Sequence, residues 1–202
     1  MLYRLAYVCA YLLGKLVFRL RVIGAGHVPD QGGVILAANH VSYLDIPLLA
    51  VSLRRRVDFM GKAELFRTAV GRFLFRRLGA FPVRRGEGDR QAMGEAVRRI
   101  REGRVVAIFP EGTRSRDGTL RRGKGGVGAL AVQSGARVIP VFIRGTFEWR
   151  RLRPVTVIFG SPIDCGALLR EAEGEKSRES YAAVSQRIME EIARLSGETK
   201  GL

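Results

Sequence analysis

Apolar residues follow two rhythms along this chain, and their alternation sets the expected fold. Short, near-continuous apolar runs stand at 34–39 (VILAAN), 56–61 (RVDFMG), 80–84 (AFPVR), 105–109 (VVAIF), 138–144 (VIPVFIR) and 155–160 (VTVIFG). Such runs predict strands covered on both faces. Helical spacing appears between them at 46–54, 64–77, 89–102 and 124–134. The 89–102 segment opens on Asp89, repeats Ala92, Met93, Ala96, Val97 and Ile100, and stops before Gly103, so both of its ends carry helix signals. A stripe of Tyr181, Val184, Ile188, Ile192 and Leu195 predicts a closing amphipathic helix over 177–197. Strand–helix alternation means an α/β sheet flanked by helices, whose ligands gather at loops leaving the carboxyl ends of strands.

The first 22 residues are the most apolar stretch, yet Arg4, Lys15 and Arg19 interrupt it. No uncharged run there reaches the ~20 residues that span a bilayer, and no small-residue cleavage site follows. On a helix those three cations fall within roughly 60° of each other, while Leu2, Leu5, Cys9, Leu12, Leu13, Leu16 and Leu20 fill much of the rest. This predicts a helix over 1–22 lying in a membrane interface, its cations towards lipid phosphates.

Length and composition narrow the picture further. With 202 residues, 47% of them apolar, and neither repeat nor low-complexity linker, the chain reads as one domain. Its net charge of +16 calls for anionic partners: nucleic acid, an anionic membrane or a phosphorylated substrate. A nucleic-acid binder would interleave aromatics with a basic patch or carry a recognisable module, and neither is present. Cys9 and Cys165 have no metal-ligand spacing, which fits a reduced compartment and leaves no metal site expected.

Candidate chemistry sits at the ends of two predicted strands. In NHVSYLD (39–45), His40 follows the first strand and Asp45 comes five residues later. On one continuous helix that spacing would turn the side chains roughly 140° apart. They meet if His40 lies in the loop and Asp45 at the helix start, a position Pro47 supports because proline is tolerated in the first turn. A carboxylate on one ring nitrogen fixes the tautomer and leaves the other nitrogen to act as a base. Ser42-x-x-Asp45 also reads as a capping box, which leaves a purely structural role open. Ser42 lacks the Gly-x-Ser-x-Gly elbow of a serine nucleophile. In FPEGTRSRDGTLRRGKGG (109–126), Gly112 permits close backbone approach, Thr113 offers a hydroxyl and Arg114 a planar fork for phosphate oxygens. Lys124, among Gly123, Gly125 and Gly126, adds charge near the start of the next helix. The spacing is not that of a P-loop.

Together NHVSYLD and FPEGTRS resemble the first and third blocks of the PlsC-type lysophosphatidic acid acyltransferase family, in the right order and about 70 residues apart. GKAELF (61–66) with GAFPVRR (79–85) resembles the second block and VIPVFIRGT (138–146) the fourth, so the likeness covers about residues 25–165. It implies the glycerolipid acyltransferase fold, a mixed twisted sheet flanked by helices with an N-terminal membrane-docking helix. It also implies acyl transfer from acyl-CoA or acyl carrier protein to the sn-2 hydroxyl of lysophosphatidate, giving phosphatidic acid at the cytoplasmic face of a membrane, with no cofactor. His40 would be the base and Asp45 its orienting partner. Arg114, with Glu111, Gly112, Thr113, Lys62, Arg84 and Lys124, would form the acceptor phosphate site, and Pro140 would lie in the acyl-donor region. The third block usually continues to a Phe-Lys pair where this chain has Gly123-Lys124. The alternatives are another lyso-lipid or glycerol 3-phosphate as acceptor, or a basic lipid-binding protein without catalysis.

If the run Arg54-Arg55-Arg56 and the pairs Arg76-Arg77 and Arg84-Arg85 face lipid, activity falls with added salt on anionic vesicles and changes little on neutral ones. Equal salt sensitivity on both would remove that role.

Overall fold

The computed structural model of the protein describes residues 2–84, 89–171 and 177–198; Arg85 lies outside them. Seven strands form one sheet: β1 (Arg21–Ile23), β2 (Val34–Ala38), β3 (Val57–Lys62), β4 (Ala80–Val83), β5 (Val105–Ile108), β6 (Arg137–Arg144) and β7 (Thr156–Phe159). The sheet order is β1-β7-β6-β2-β5-β3-β4. All neighbours are parallel except β6 and β7, so the sheet is mixed and β1 and β7 run against the other five.

Alternate residues of the central strands feed two cores. Val34, Leu36 and Ala38 of β2 join Ile139, Val141 and Ile143 of β6 on one face. There they meet Leu48 and Leu49 of α2 (Asp45–Val51), and α1 (Leu2–Leu16) packs on α2. Ile35 and Ala37 point to the opposite face. That face is covered by Ala96 and Ile100 of α4 (Arg90–Arg101), Val127 and Leu130 of α5 (Gly126–Ser134), and Ile188 and Ile192 of α7 (Arg178–Glu198). Burial on both faces is why these strands read as unbroken apolar runs.

The crossover after β2 passes over the α2 face, and the one after β5 passes over the α5 face. Since β2 and β5 are neighbours, the two connections diverge and leave a crevice at the carboxyl ends of these strands, where open α/β sheets place their ligands.

Three predicted boundaries move, and one helix is added. The N-terminal helix stops at Leu16 rather than residue 22, because Arg21–Ile23 pair with Thr156–Ile158 as an edge strand. The 64–77 segment is a 3-10 turn, Ala63–Phe66, followed by α3 (Ala69–Arg77). Thr68 breaks the two, its hydroxyl capping α3 by accepting the Gly71 amide at 3.0 Å. The 46–54 segment narrows to Asp45–Val51. A short helix, α6 (Cys165–Glu171), follows the last strand, where no helix is expected from the sequence pattern. Among the described residues no helix is long and apolar enough to cross a membrane.

Asp58, fully buried in β3, is held by Arg99 at 2.8 Å and Arg104 at 2.6 Å, with Arg56 at 3.8 Å. The cluster ties α4 and the start of β5 to β3, away from the crevice. Asp58→Ala removes the carboxylate facing these arginines. We expect a loss of roughly 3 kcal/mol in urea unfolding with catalytic parameters unchanged below the transition. A change in kcat at constant fold would contradict a purely structural role.

Candidate active site

His40 is the second residue past β2, at the crevice between β2 and β5. Its Nδ1 lies 2.8 Å from Asp45 Oδ2. The same carboxylate oxygen accepts the backbone N–H groups of Val41 and Ser42, both at 2.8 Å, and Oδ1 accepts the Thr146 hydroxyl at 2.5 Å. An ionised carboxylate only accepts, so Nδ1 carries the hydrogen and Nε2 is left with its lone pair. The ring plane is fixed by Phe109, stacked on His40 at 4.0 Å and 17°.

The expected loop-to-helix arrangement is present: His40 stands in the loop and Asp45 is the first residue of α2. Half of the capping box forms as well. Asp45 reaches back to the Ser42 amide, but the Ser42 hydroxyl accepts from Leu44 at 3.3 Å. Capping and orienting thus use one carboxylate at once.

Asn39, beside His40, acts as one more strand pair. Its side chain donates to Ile143 O at 3.0 Å and accepts from Ile143 N at 2.7 Å, prolonging the β2–β6 ladder to the foot of the histidine.

Glu111 is buried, and its carboxylate accepts His40 N at 3.0 Å and Arg121 N at 3.3 Å. Ser115 N donates to His40 O at 2.8 Å. The residue expected among the phosphate contacts therefore spends both oxygens on backbone, clasping the two motif loops together. A carboxylate would also repel a phosphate. Burial pushes its pKa above the ordinary 4.5, opposed by the two N–H bonds.

Arg114 lies over the Tyr43 ring with its guanidinium carbon 3.5 Å from the centroid. Stacking orients the fork while its edges keep their N–H groups for an anion. Gly112 has a φ of +74°, and a Cβ there would meet the Lys124 side chain at 3.3–3.4 Å, so glycine both makes the turn and admits Lys124. A cavity of about 350 Å³ opens beside these residues, lined by Phe109, Gly112, Thr113, Lys124, Arg84 and Met93 among others.

Not every candidate converges. Lys62 is exposed at the end of β3 and is absent from the cavity lining. Pro140 lies inside β6, opposite Ala37, and its carbonyl accepts Gly160 N at 2.8 Å; it lines no part of this cavity. Two backbone amides of the 109–115 loop are engaged within the protein: Gly112 N bonds to Phe109 O and Ser115 N to His40 O. Cys165 is buried and its thiol is pushed up to about 12 by desolvation, so it offers no thiolate. Among the described residues no three His, Cys, Asp or Glu side chains are grouped to hold a metal ion. Thr146, Phe109, Asn39 and Tyr43 carry site functions that sequence reasoning did not assign. Each lies within or beside a recognised block, which is the only signal they gave.

An acyltransferase family model matches residues 19–144. The chain belongs to the acyltransferase family. This acyltransferase is 29% identical over 192 residues to 1-acyl-sn-glycerol-3-phosphate acyltransferase of Bacillus subtilis, covering 90% of this chain and 94% of that one. It is 36% identical over 135 residues to lyso-ornithine lipid O-acyltransferase of Pseudomonas aeruginosa, a match spanning 66% of this chain and 50% of that protein. The crystal structure of PlsC, the 1-acyl-sn-glycerophosphate acyltransferase of Thermotoga maritima, superposes with a TM-score of 0.69 at 26% identity, over 94% of this chain and 79% of that one.

Glu111→Gln sets an amide NH2 against one of the two N–H donors, at an expected cost of roughly 1–3 kcal/mol and with lowered turnover. Because the wild-type pKa is raised, ionising Glu111 weakens the fold. The stability gap between wild type and variant therefore narrows as pH rises from 4.5 through the raised value. Urea unfolding across that window checks the sign, and a widening gap would refute it.

Proposed function

We propose that this protein transfers a fatty acyl group from a thioester, acyl-CoA or acyl carrier protein, to the sn-2 hydroxyl of 1-acyl-sn-glycerol 3-phosphate at an anionic membrane surface. The observation that carries this reading is the His40–Asp45 pair, fixed at 2.8 Å and stacked on Phe109, which lines a cavity that also holds Lys124, Arg84 and Asp89. Arg114 follows the cavity-lining Thr113. The Bacillus subtilis and Thermotoga maritima relatives, named for that acceptor, support it.

His40 Nε2 takes the proton as the acceptor hydroxyl attacks the thioester carbonyl. The new C–O bond forms, and the tetrahedral intermediate collapses with cleavage of C–S. The thiolate leaves and recovers the proton from His40. Asp45 stabilises the imidazolium that exists between the two transfers. No acyl-enzyme is needed, consistent with the lack of a nucleophile elbow at Ser42 and with the buried Cys165 thiol. Arg114 and Lys124 hold the acceptor phosphate.

An apolar cavity of about 260 Å³ lies on the α1 side of the sheet, lined by Tyr7, Ile46, Phe59, Met60 and Phe75 among others. Met60 also borders the cavity that holds Lys124 and Arg84. Apolar space adjoining a phosphate-suited space fits a substrate with an acyl chain at one end and a phosphate at the other. On the outer side of α1, Leu5, Val8, Leu12, Leu13 and Leu16 are exposed, which supports docking in a membrane interface. A second reading, another lyso-lipid as acceptor, is favoured by the Pseudomonas aeruginosa relative.

The test is thiol release from an acyl-CoA, wild type beside His40→Ala, with lysophosphatidate and then other lyso-lipids. We expect release to require lysophosphatidate and to fall about 10²–10⁴-fold in the variant. Full turnover by His40→Ala would end the base assignment. Release with a different acceptor alone would move the function to the second reading.

A further inference from the structure

The segment between β6 and β7 has no part in the mechanism above, yet it leaves the sheet at the catalytic edge. β6 runs parallel to β2, so its carboxyl end lies beside that of β2. The first residue pair past it already touches the site, through the Thr146–Asp45 bond. β1 runs with β7, against β6, so the chain coming from α1 enters β1 at this same edge. The two segments are joined there. Val155 N donates to Phe18 O at 2.9 Å, Arg21 N to Val155 O at 2.9 Å, and the Arg19 guanidinium to Leu152 O at 3.2 Å.

This loop exposes what a soluble surface normally hides. Phe147, Trp149 and Leu152 are 46%, 43% and 49% exposed, continuing the exposed Leu16 and Val17 at the end of α1. Arg144, Arg150, Arg151 and Arg153 flank or lie in the loop, with Arg19 and Arg21 on the joined segment. Glu148, the one acidic residue within 145–154, pairs with Arg151 and Arg153, and the Phe147 ring lies against Gly118 beside Asp117. Arg150 lies over the Trp149 ring at 5.4 Å. An open basic pocket of about 440 Å³, with Arg21, Arg144 and Arg153 in its lining, sits at the base of the loop. Among the described residues only Arg19 (φ +44°) and Leu152 (φ +48°) are non-glycine residues at positive φ, a costly conformation for side chains of this size. The fold thus holds a bulky leucine outward, in strain, at the junction with α1.

Aromatics and leucine ringed by arginine match one occupant, the headgroup zone of an anionic bilayer: rings seat at the interface and guanidinium groups pair with lipid phosphates. We infer that the 145–154 loop is a second membrane contact, in which Phe147, Trp149 and Leu152 enter an anionic bilayer beside the end of α1. This inference rests on the proposed membrane reading of α1. It gives the enzyme two contacts, one on each side of residues 17–20, and presents the His40 edge of the sheet to the lipid.

Trp149 is the chain's only tryptophan, so its emission reports this loop alone. The experiment mixes the full chain with neutral phosphatidylcholine vesicles, or with vesicles carrying anionic phospholipid, and reads sedimentation and emission together. We expect a blue shift with anionic vesicles and quenching by acyl-brominated lipid. Trp149→Ser, whose fold circular dichroism verifies, should weaken sedimentation about tenfold, equivalent to about 1.4 kcal/mol. Sedimentation with unshifted, unquenched emission overturns the loop contact and leaves α1 docking intact. Neither sedimentation nor shift overturns both. A shift caused by an acidic carrier protein, or by raised protein concentration without lipid, overturns it by naming a protein as the occupant.

Discussion

The carboxylate of Asp45 joins three parts of the chain that are distant in sequence or direction. It receives the His40 ring, the two amides that turn the chain from β2 into α2, and the hydroxyl of Thr146 past the end of β6. The side chain is completely buried, and a buried carboxylate is tolerable only when its oxygens are bonded. Here four donors meet that demand, and all four would lose this acceptor in any apolar replacement. The histidine's orientation is therefore enforced by the folding of the loop itself. The ring is not held by a single pairwise contact that thermal motion could break.

Glu111 extends the same logic to the second motif loop. Its acid group accepts the backbone amide of His40, whose carbonyl is taken by Ser115 N. The His40 loop and the 109–115 loop are thus tied by one side-chain and one main-chain bond to the same residue, which couples their positions. Phe109 stacked on His40 and Tyr43 beneath Arg114 repeat the pairing with side chains. Each motif supplies one aromatic support for the charged or basic group of the other. That reciprocity explains why two short blocks about 70 residues apart carry one chemistry.

How far the sequence discloses this depends on the range of the interaction. His40 and Asp45 were legible because their relation is local: a strand end, a five-residue offset and Pro47 constrain the turn. The six strands after β1 were legible from their largely apolar runs, clearest in β2, which is buried along its whole length. β1 was not, since three residues following an apolar helix have no period of their own and become a strand only by pairing with β7. Thr146 and Asn39 were hidden for a similar reason, their partners lying 101 and 104 residues away. Glu111 was assigned to phosphate by its place in a block, whereas its physical setting, a buried anion among amides, is a tertiary fact. Lys62 in the second block and Pro140 in the fourth likewise lie in a block without lining the cavity.

The direction of the sheet brings the 145–154 loop and the end of α1 to the His40 edge. In a purely parallel sheet every loop at the carboxyl edge follows a strand and precedes a helix. Here β7 turns back against β6, so a hairpin-like connection emerges at the catalytic edge with no helix to cover it. β1 pairs parallel to β7, which brings the end of α1 to the same place. An apolar, arginine-rich rim is therefore a product of the one antiparallel pairing in the sheet. On the membrane reading proposed above, a poorly soluble lipid acceptor would reach such a rim without leaving the bilayer fully. Asp45 and Thr146 join the His40 loop and the 145–154 loop through a single hydrogen bond.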